Sequence, residues 1–349
     1  MTPIKPLRVS AFDYDLPPGL IAQQPLPRRD ESRMMVVDRK RGTIRHGRFN
    51  EFADSLDPGD LVILNDTKVI PARIWGTCGG ARIEFLFLRE FEPGLWSVLC
   101  RPAKRVRMGS SLRFAAGFEA LVEEVGEEGR RLLNFGKSDV RSVLDDIGFA
   151  PLPPYIKRSR EDLAARLMDL ERYQTVFARK EGAIAAPTAG LHFTEGALRG
   201  LRTKGIDVRR ITLEVGLATF QPVRTDLVTE HRMLEERYAI TPVVARAVNT
   251  SKREGRPVTA VGTTVVRALE SAWREGEVHS GRRATSLFIY PGFEFHVADR
   301  LLTNLHLPRS TLLMLVAAFA GHELIMRAYG EAVREGYRFF SYGDCMLIL

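Results

Sequence analysis

The spacing of hydrophobic and polar positions changes character along the chain. Near the start one signal stands out. Leu61-Val62-Ile63-Leu64 is an uninterrupted apolar run introduced by the turn residues Asp57-Pro58-Gly59-Asp60, which predicts a buried strand. Asn65-Asp66-Thr67-Lys68 then set polar groups directly after it. Between 72 and 150 the period shortens. Apolar or alternating runs recur at Ala81 to Leu88, Leu95 to Cys100, Leu112 to Phe114, Phe118 to Val125 and Arg131 to Phe135. Turn clusters at Glu92-Pro93-Gly94 and Gly126-Glu127-Glu128-Gly129 separate them. Evenly spaced short strands predict a small antiparallel barrel or sandwich, inserted in a larger domain. The Pro-rich link APLPPYIKR (150–158) favours extended backbone. Ser159 is then placed to cap a helix reaching about Arg172.

From about 183 the pattern is α/β. Ala183 to Ala186 and Val208 to Val215 read as strands, with a helix between them capped by Thr194 and ended by Gly205. Pro242 suits the first turn of a helix that Gly255 can end, and Val258 to Val261 is strand-like. Thr263 or Thr264 can cap the next helix, whose Val265, Val266, Leu269, Ala272 and Trp273 share one face. A strand at Leu287 to Tyr290, helices from about Thr311 to Gly321 and over 322–335, and a last strand near Phe339 complete the expectation.

Composition narrows the class. The chain has 349 residues, 45% of them hydrophobic, enough for one large packed domain or two ordinary ones. The longest apolar run, Leu312 to Ala320, is far short of the ~18 residues of a membrane span. The segment MTPIKPLRVSAFDYDLPP has no apolar core of a secretory signal. Cys78, Cys100 and Cys345 form no CxxC pair, so neither a disulfide framework nor a zinc site is expected, and a reducing cytoplasm is the simplest compartment. The net charge of +8 permits a polyanionic partner.

The usual glycine fingerprint GxGxxG, the P-loop, HExxH and GxSxG are all missing. Four other segments put polar residues beside glycines at element ends, where open α/β sheets bind ligands: AAPTAGLHFTEG (185–196), TLEVGLATFQPV (212–223), AVGTTVVRALES (260–271) and TNLHLPRSTLLMLVAAFAG (303–321). Free backbone N–H groups at the helix start after Gly262 suit a carboxylate or phosphate, though an ordinary helix start looks the same. His192 and Glu195 lie around another helix start, where Thr194 and Glu195 also serve as plain capping residues. Glu214, at a strand end, suits a base of raised pKa or a partner for a cation. RPAKRVR (101–107) and Lys157-Arg158-Arg160 suit phosphate contacts, or simply a solvated surface.

Taken together the segments resemble the S-adenosylmethionine:tRNA ribosyltransferase-isomerase family of queuosine biosynthesis. The likeness runs almost end to end, through FDYDLPPGLIAQQPLPRRDESRMMVVDR (12–39), GDLVILNDTKVIPAR (59–73), RPAKR, PLPPYIKR, ERYQTVFA (171–178), AAPTAGLHFTE, EHRM (230–233), VGTTVVRALES, LFIYPGF (287–293), TNLHLPRSTLLMLVAAFAG and YRFFSYGDCMLI (337–348). The resemblance implies an α/β fold of mixed α+β character. Residues 1–71 and 151–349 would form a discontinuous α/β catalytic domain, and 72–150 an inserted antiparallel β-barrel. It implies transfer and isomerisation of the ribosyl moiety of S-adenosylmethionine onto 7-aminomethyl-7-deazaguanine at the tRNA wobble position. Epoxyqueuosine-tRNA would form, with adenine and methionine released and no metal involved.

Such chemistry needs a base for the proton beside the sulfonium, carboxylates near it, and a donor for departing adenine. The candidates are Glu214 or His192 as base, with Glu195 in support. Thr188, Gly190, Thr263 and Thr264 are candidates for holding S-adenosylmethionine, and Arg101, Lys104, Arg105, Lys157 and Arg158 for tRNA phosphates. The chain departs from the family pattern in places. Glu214 stands where a His is usual, Ala218 replaces a Gly, Leu234 replaces a second His, and Leu305 replaces the aromatic before His306. A Glu base requires a pKa raised by burial, for example. Two other classes fit parts of the pattern: a non-catalytic tRNA-binding relative, and an RNA methyltransferase, against which the missing glycine fingerprint argues.

Overall fold

A computed structural model describes residues 7–159, 161–216 and 223–349. Arg160 and Ala218 fall outside the described residues.

The core is one nine-stranded sheet. From edge to edge its strands are Gly281–Thr285, Glu236–Ile240, Asp207–Leu213, Leu61–Asn65, Val258–Val261, Arg300–Asn304, Cys345–Ile348, Arg33–Asp38 and Thr43–Arg48. Four consecutive strands in the middle, from Asp207–Leu213 to Arg300–Asn304, are mutually parallel. The two central ones, Leu61–Asn65 and Val258–Val261, are buried on both faces because helices cover both, which is why Leu61–Leu64 reads as an unbroken hydrophobic run, whereas Asp207–Leu213 is only partly buried and carries Arg209 and Arg210. One face packs under Val265, Val266 and Leu269 of helix Thr263–Ala272 and under the almost wholly apolar helix Thr311–Ala320. The other packs under Leu198 and Leu201 of helix Glu195–Thr203, with Phe49, Phe52 and Phe193. Among the described residues no single helix is long and apolar enough to cross a membrane.

The strands Arg73–Cys78, Ala81–Glu92, Leu95–Arg101, Ser111–Phe114, Glu119–Val125 and Arg130–Asn134 close into a six-stranded antiparallel barrel. Its residues alternate inward and outward, so Phe85, Phe87, Trp96, Val98, Phe114 and Leu133 fill the interior. Gly76 is required by space. A Cβ there would meet the Phe114 ring at 2.7 Å and the Arg113 carbonyl at 2.8 Å. The chain enters and leaves the barrel at one place: Arg73 and Phe149 exchange both backbone hydrogen bonds, at 3.2 and 2.9 Å.

Several expected elements shift. The helix placed after Ser159 starts later, at Leu163, and Asp162 caps it through the Ala165 N–H. The strand expected at Ala183 to Ala186 is instead Lys180–Ala183. No strand forms at Leu287 to Tyr290, where the Leu287 carbonyl accepts from Arg267 Nε at 2.9 Å; the strand lies earlier, at the Arg-rich Gly281–Thr285. The last strand is Cys345–Ile348, not Phe339, whose ring sits in an aromatic cluster with Tyr14 and Tyr329.

Candidate active site

The four parallel strands end at one edge of the sheet, and a narrow cleft opens there. Each of the four glycine-flanked segments supplies a wall. Ala185 to Ala189 form one side, Val215 a second, Gly262-Thr263-Thr264 a third, and Thr303, Asn304, His306 and Leu312 the fourth. Tyr173, Phe340 and Ser341 complete it. This is where open α/β sheets hold ligands, because strand ends and helix starts leave backbone groups unspent there.

Asn65 ties the strand ends together. Its carbonyl oxygen accepts from the N–H groups of Leu213 and Thr67, and its amide donates to the Leu213 carbonyl and, at 3.4 Å, to Thr264 Oγ1. The adjacent helix starts differently from the expectation. Thr263 is its first residue, not its cap. Gly262 holds the cap position at φ +95°, a backbone conformation other residues rarely adopt. Among the described residues no side chain caps this helix, so its first amides are free to meet an anionic group in the cleft.

Two buried histidines stand at this edge. His306 lines the cleft, and its Nε2 is 2.8 Å from Thr303 Oγ1. Its Nδ1 has no hydrogen-bond partner among the described residues. Burial lowers its pKa to about 3, so the imidazole is neutral. His192 lies behind the cleft, lining a small neighbouring pocket with Arg29, Ser32 and Arg172. Both its nitrogens are engaged, Nδ1 with Ser32 Oγ at 2.7 Å and Nε2 with Asn304 Nδ2 at 3.3 Å. Burial first, then the charges of Arg29 and Arg338, lower its pKa to about 3.

The candidate residues therefore part company. Thr188, Thr263 and Thr264 meet in the cleft. Gly190 sits just beyond it and serves packing, since a Cβ there would meet Phe177 at 2.8 Å and Thr175 at 2.9 Å. Glu195 is exposed in the first turn of its helix, where Thr194 accepts from the Ala197 N–H. Glu214 does not line the cleft that its neighbour Val215 lines. Its side chain lies over Gly182 and faces a groove with Lys180, Arg237 and Arg282, and it lines a second groove together with Val215. Asn304, His306, Ser341 and Tyr173 are additional wall residues. The first two were findable, because TNLHLP places polar side chains just after a strand, as the threonine segment does.

Arg101, Lys104, Arg105 and Lys157 are exposed, the first three at one end of the barrel. Arg158 is not available in the same way. Its Nε and Nη2 grip the buried Asp169 carboxylate at 2.6 and 3.1 Å, and Nη2 also donates to the Gln23 carbonyl. Asp169 further accepts from the Tyr342 hydroxyl at 2.9 Å, so Arg158 anchors the link after the barrel. Among the described residues no group of three or more His, Cys, Asp or Glu side chains is arranged to hold a metal.

The family described as queuosine biosynthesis protein matches residues 9–348. The chain belongs to that family. A curated relative from Moorella thermoacetica, named S-adenosylmethionine:tRNA ribosyltransferase-isomerase, is 50% identical over 98% of this chain and 100% of its own length. A relative of the same name from Halothermothrix orenii is 48% identical over the same shares. The crystal structure of S-adenosylmethionine tRNA ribosyltransferase from Thermotoga maritima is similar over 97% of this chain and 100% of that one, with a TM-score of 0.55 and 39% identity. The likeness covers sheet and barrel alike, so both belong to the family's fold.

Proposed function

We infer that the cleft at the carboxyl ends of the parallel strands is where this chain performs the reaction of its family. It is an S-adenosylmethionine:tRNA ribosyltransferase-isomerase of queuosine synthesis, with S-adenosylmethionine as co-substrate. The observation that carries the placement is the convergence of all four glycine-flanked segments on one cleft beside an uncapped helix start. The acceptor is tRNA bearing 7-aminomethyl-7-deazaguanine at the wobble position, and the cell compartment is the cytoplasm.

Roles follow from chemistry. The free amides of Thr263 and Thr264 take the methionyl carboxylate, and Thr188 lines the same cleft. A sulfonium acidifies the neighbouring ribose C5′–H. His306 stands in the cleft with an open Nδ1, so we assign it the proton on that geometry, a role that requires the bound substrate carboxylate to raise its proton affinity above the level burial sets. Loss of that proton opens the ring and expels adenine. The aminomethyl nitrogen then attacks the resulting carbon centre, and methionine leaves as a neutral thioether while the epoxide closes. Glu214, which does not line the cleft, is given no step. Residues 72–150 act as an inserted domain whose Arg101, Lys104 and Arg105, with Lys157 on the link, contact tRNA phosphates.

The test is incubation of the protein with S-adenosylmethionine and tRNA carrying 7-aminomethyl-7-deazaguanine, followed by mass spectrometry. Adenine, methionine and an epoxycyclopentanediol-bearing nucleoside are expected. Bound but unmodified tRNA would leave the chain a non-catalytic relative.

A further inference from the structure

Asn304 is 2% exposed, and its side-chain orientation is fixed by one atom. The Phe340 carbonyl lies 3.1 Å from one end of the carboxamide. A carbonyl oxygen can only accept, so that end is the amide nitrogen. The same nitrogen is 3.3 Å from His192 Nε2, which must therefore be an acceptor. His192 then carries its proton on Nδ1 and donates it to Ser32 Oγ, whose hydroxyl is in turn directed at the Arg29 carbonyl. A chain of four groups thus locks the carboxamide with its nitrogen turned towards Phe340 and His192.

That lock leaves the carboxamide oxygen with nothing. Asn304 Oδ1 is buried and has no hydrogen-bond partner among the described residues. Buried acceptors without partners are rare and cost about 1–3 kcal/mol, so this one needs a reason. The residue lines the cleft, as do Thr303, His306 and the threonine helix start.

We propose that Asn304 Oδ1 is a specificity-determining acceptor for an N–H or O–H donor of S-adenosylmethionine, and that His192 is a positioning residue that holds the carboxamide in the required orientation. The inference rests on the cleft being the S-adenosylmethionine site. It gives His192 a purpose its buried, doubly bonded ring would otherwise lack. The neutral state enforced by burial is essential to it, because an imidazolium would present a second donor to the Asn304 amide. A site that hydrogen-bonds a substrate donor discriminates strongly, since the unpaired acceptor penalises ligands without one.

The experiment is calorimetric titration of S-adenosylmethionine and a filter-binding titration of substrate tRNA, on the wild type and on Asn304→Leu, His192→Leu and His192→Gln. Thermal unfolding of each shows which are folded. Asn304→Leu is expected to weaken S-adenosylmethionine binding ten- to hundredfold and to leave tRNA binding within twofold. His192→Leu should raise KM for S-adenosylmethionine several-fold with a smaller change in kcat. His192→Gln should restore it, because its amide can accept from Asn304 and donate to Ser32. A folded Asn304→Leu that binds S-adenosylmethionine as the wild type does overturns the proposal. Weakening of tRNA alone also overturns it, by giving the donor to RNA. Should Asn304→Leu not fold, an unchanged KM in His192→Leu overturns it equally. If S-adenosylmethionine binding depends on Asn304 while the wild type releases no adenine, the inference stands and the functional reading falls.

Discussion

The carboxylate of Glu236 and the guanidinium of Arg267 meet inside the protein, 2% and 5% exposed, joining an outer strand of the sheet to the helix that starts at the cleft. Glu236 also accepts from the Gly216 N–H at 3.0 Å, so the pair holds the chain just after Val215. Neither residue belongs to the proposed reaction. Removing one partner strands a buried charge, so Glu236→Met or Arg267→Met alone should cost about 3–5 kcal/mol. The double variant should lose much less than the sum. Urea unfolding of the three variants measures this, and strict additivity would show the pair to be uncoupled.

Acid should loosen the protein earlier than its carboxylates alone would. His192 and His306 fall from an ordinary pKa of 6.5 to about 3 on folding. Below pH 6.5 the unfolded chain binds two protons that the folded chain refuses, so stability drops as pH falls from 6.5 towards 3. From pH 7.5 to 5.5 each histidine contributes a loss of about 1.4 kcal/mol. His192→Gln should flatten the slope by that amount, and an unchanged slope would mean the ring is already charged in the native state.

Two kinds of cation should separate cleanly. Lys104→Ala and Arg105→Ala touch exposed side chains and should change stability by no more than about 0.5 kcal/mol. Each should weaken tRNA binding and reduce the slope of log K against log salt by about 1. Arg158→Ala should behave in reverse. It strands the buried Asp169 and should destabilise by about 3 kcal/mol. Unfolding curves and salt-dependent binding, run side by side, read both. A lost salt slope in Arg158→Ala without destabilisation would reassign it to the RNA surface.

Gly76→Val tests whether the barrel is a separate unit. The new side chain drives into the Phe114 ring and should cost the barrel about 1–3 kcal/mol. Hydrogen exchange should rise in strands between Arg73 and Asn134 and not in Leu61–Asn65 or Val258–Val261. Titration with S-adenosylmethionine should be unaffected. Uniform loosening of sheet and barrel would mean that they unfold as one.

What the sequence made legible follows from how local each signal is. The barrel strands were readable because alternation and turn residues act within a few positions. The cleft threonines were readable because a strand followed by glycine and threonine is one contiguous motif. Glu214 illustrates the limit. Its place at a strand end is local, but which side of the chain faces the cleft depends on neighbours from 180–182 and 237. His192 depends on Ser32 and Asn304, which lie 160 and 112 positions away. The edge strand Gly281–Thr285 carries two arginines and a mostly exposed pattern, so hydrophobic periodicity is silent there.

The placement of Cys345–Ile348 has a consequence for how the chain can fold as it is made. This strand does not sit at the rim of the sheet. It lies between Arg300–Asn304 and Arg33–Asp38, and bridges them. The hairpin formed early by Arg33–Asp38 and Thr43–Arg48 therefore waits, with its inner edge unpaired, through the synthesis of some three hundred residues. The barrel, whose contacts are all short-range by comparison, can close on the ribosome long before that. Assembly of the cleft, one wall of which is the end of Arg300–Asn304, then awaits the keystone that follows it.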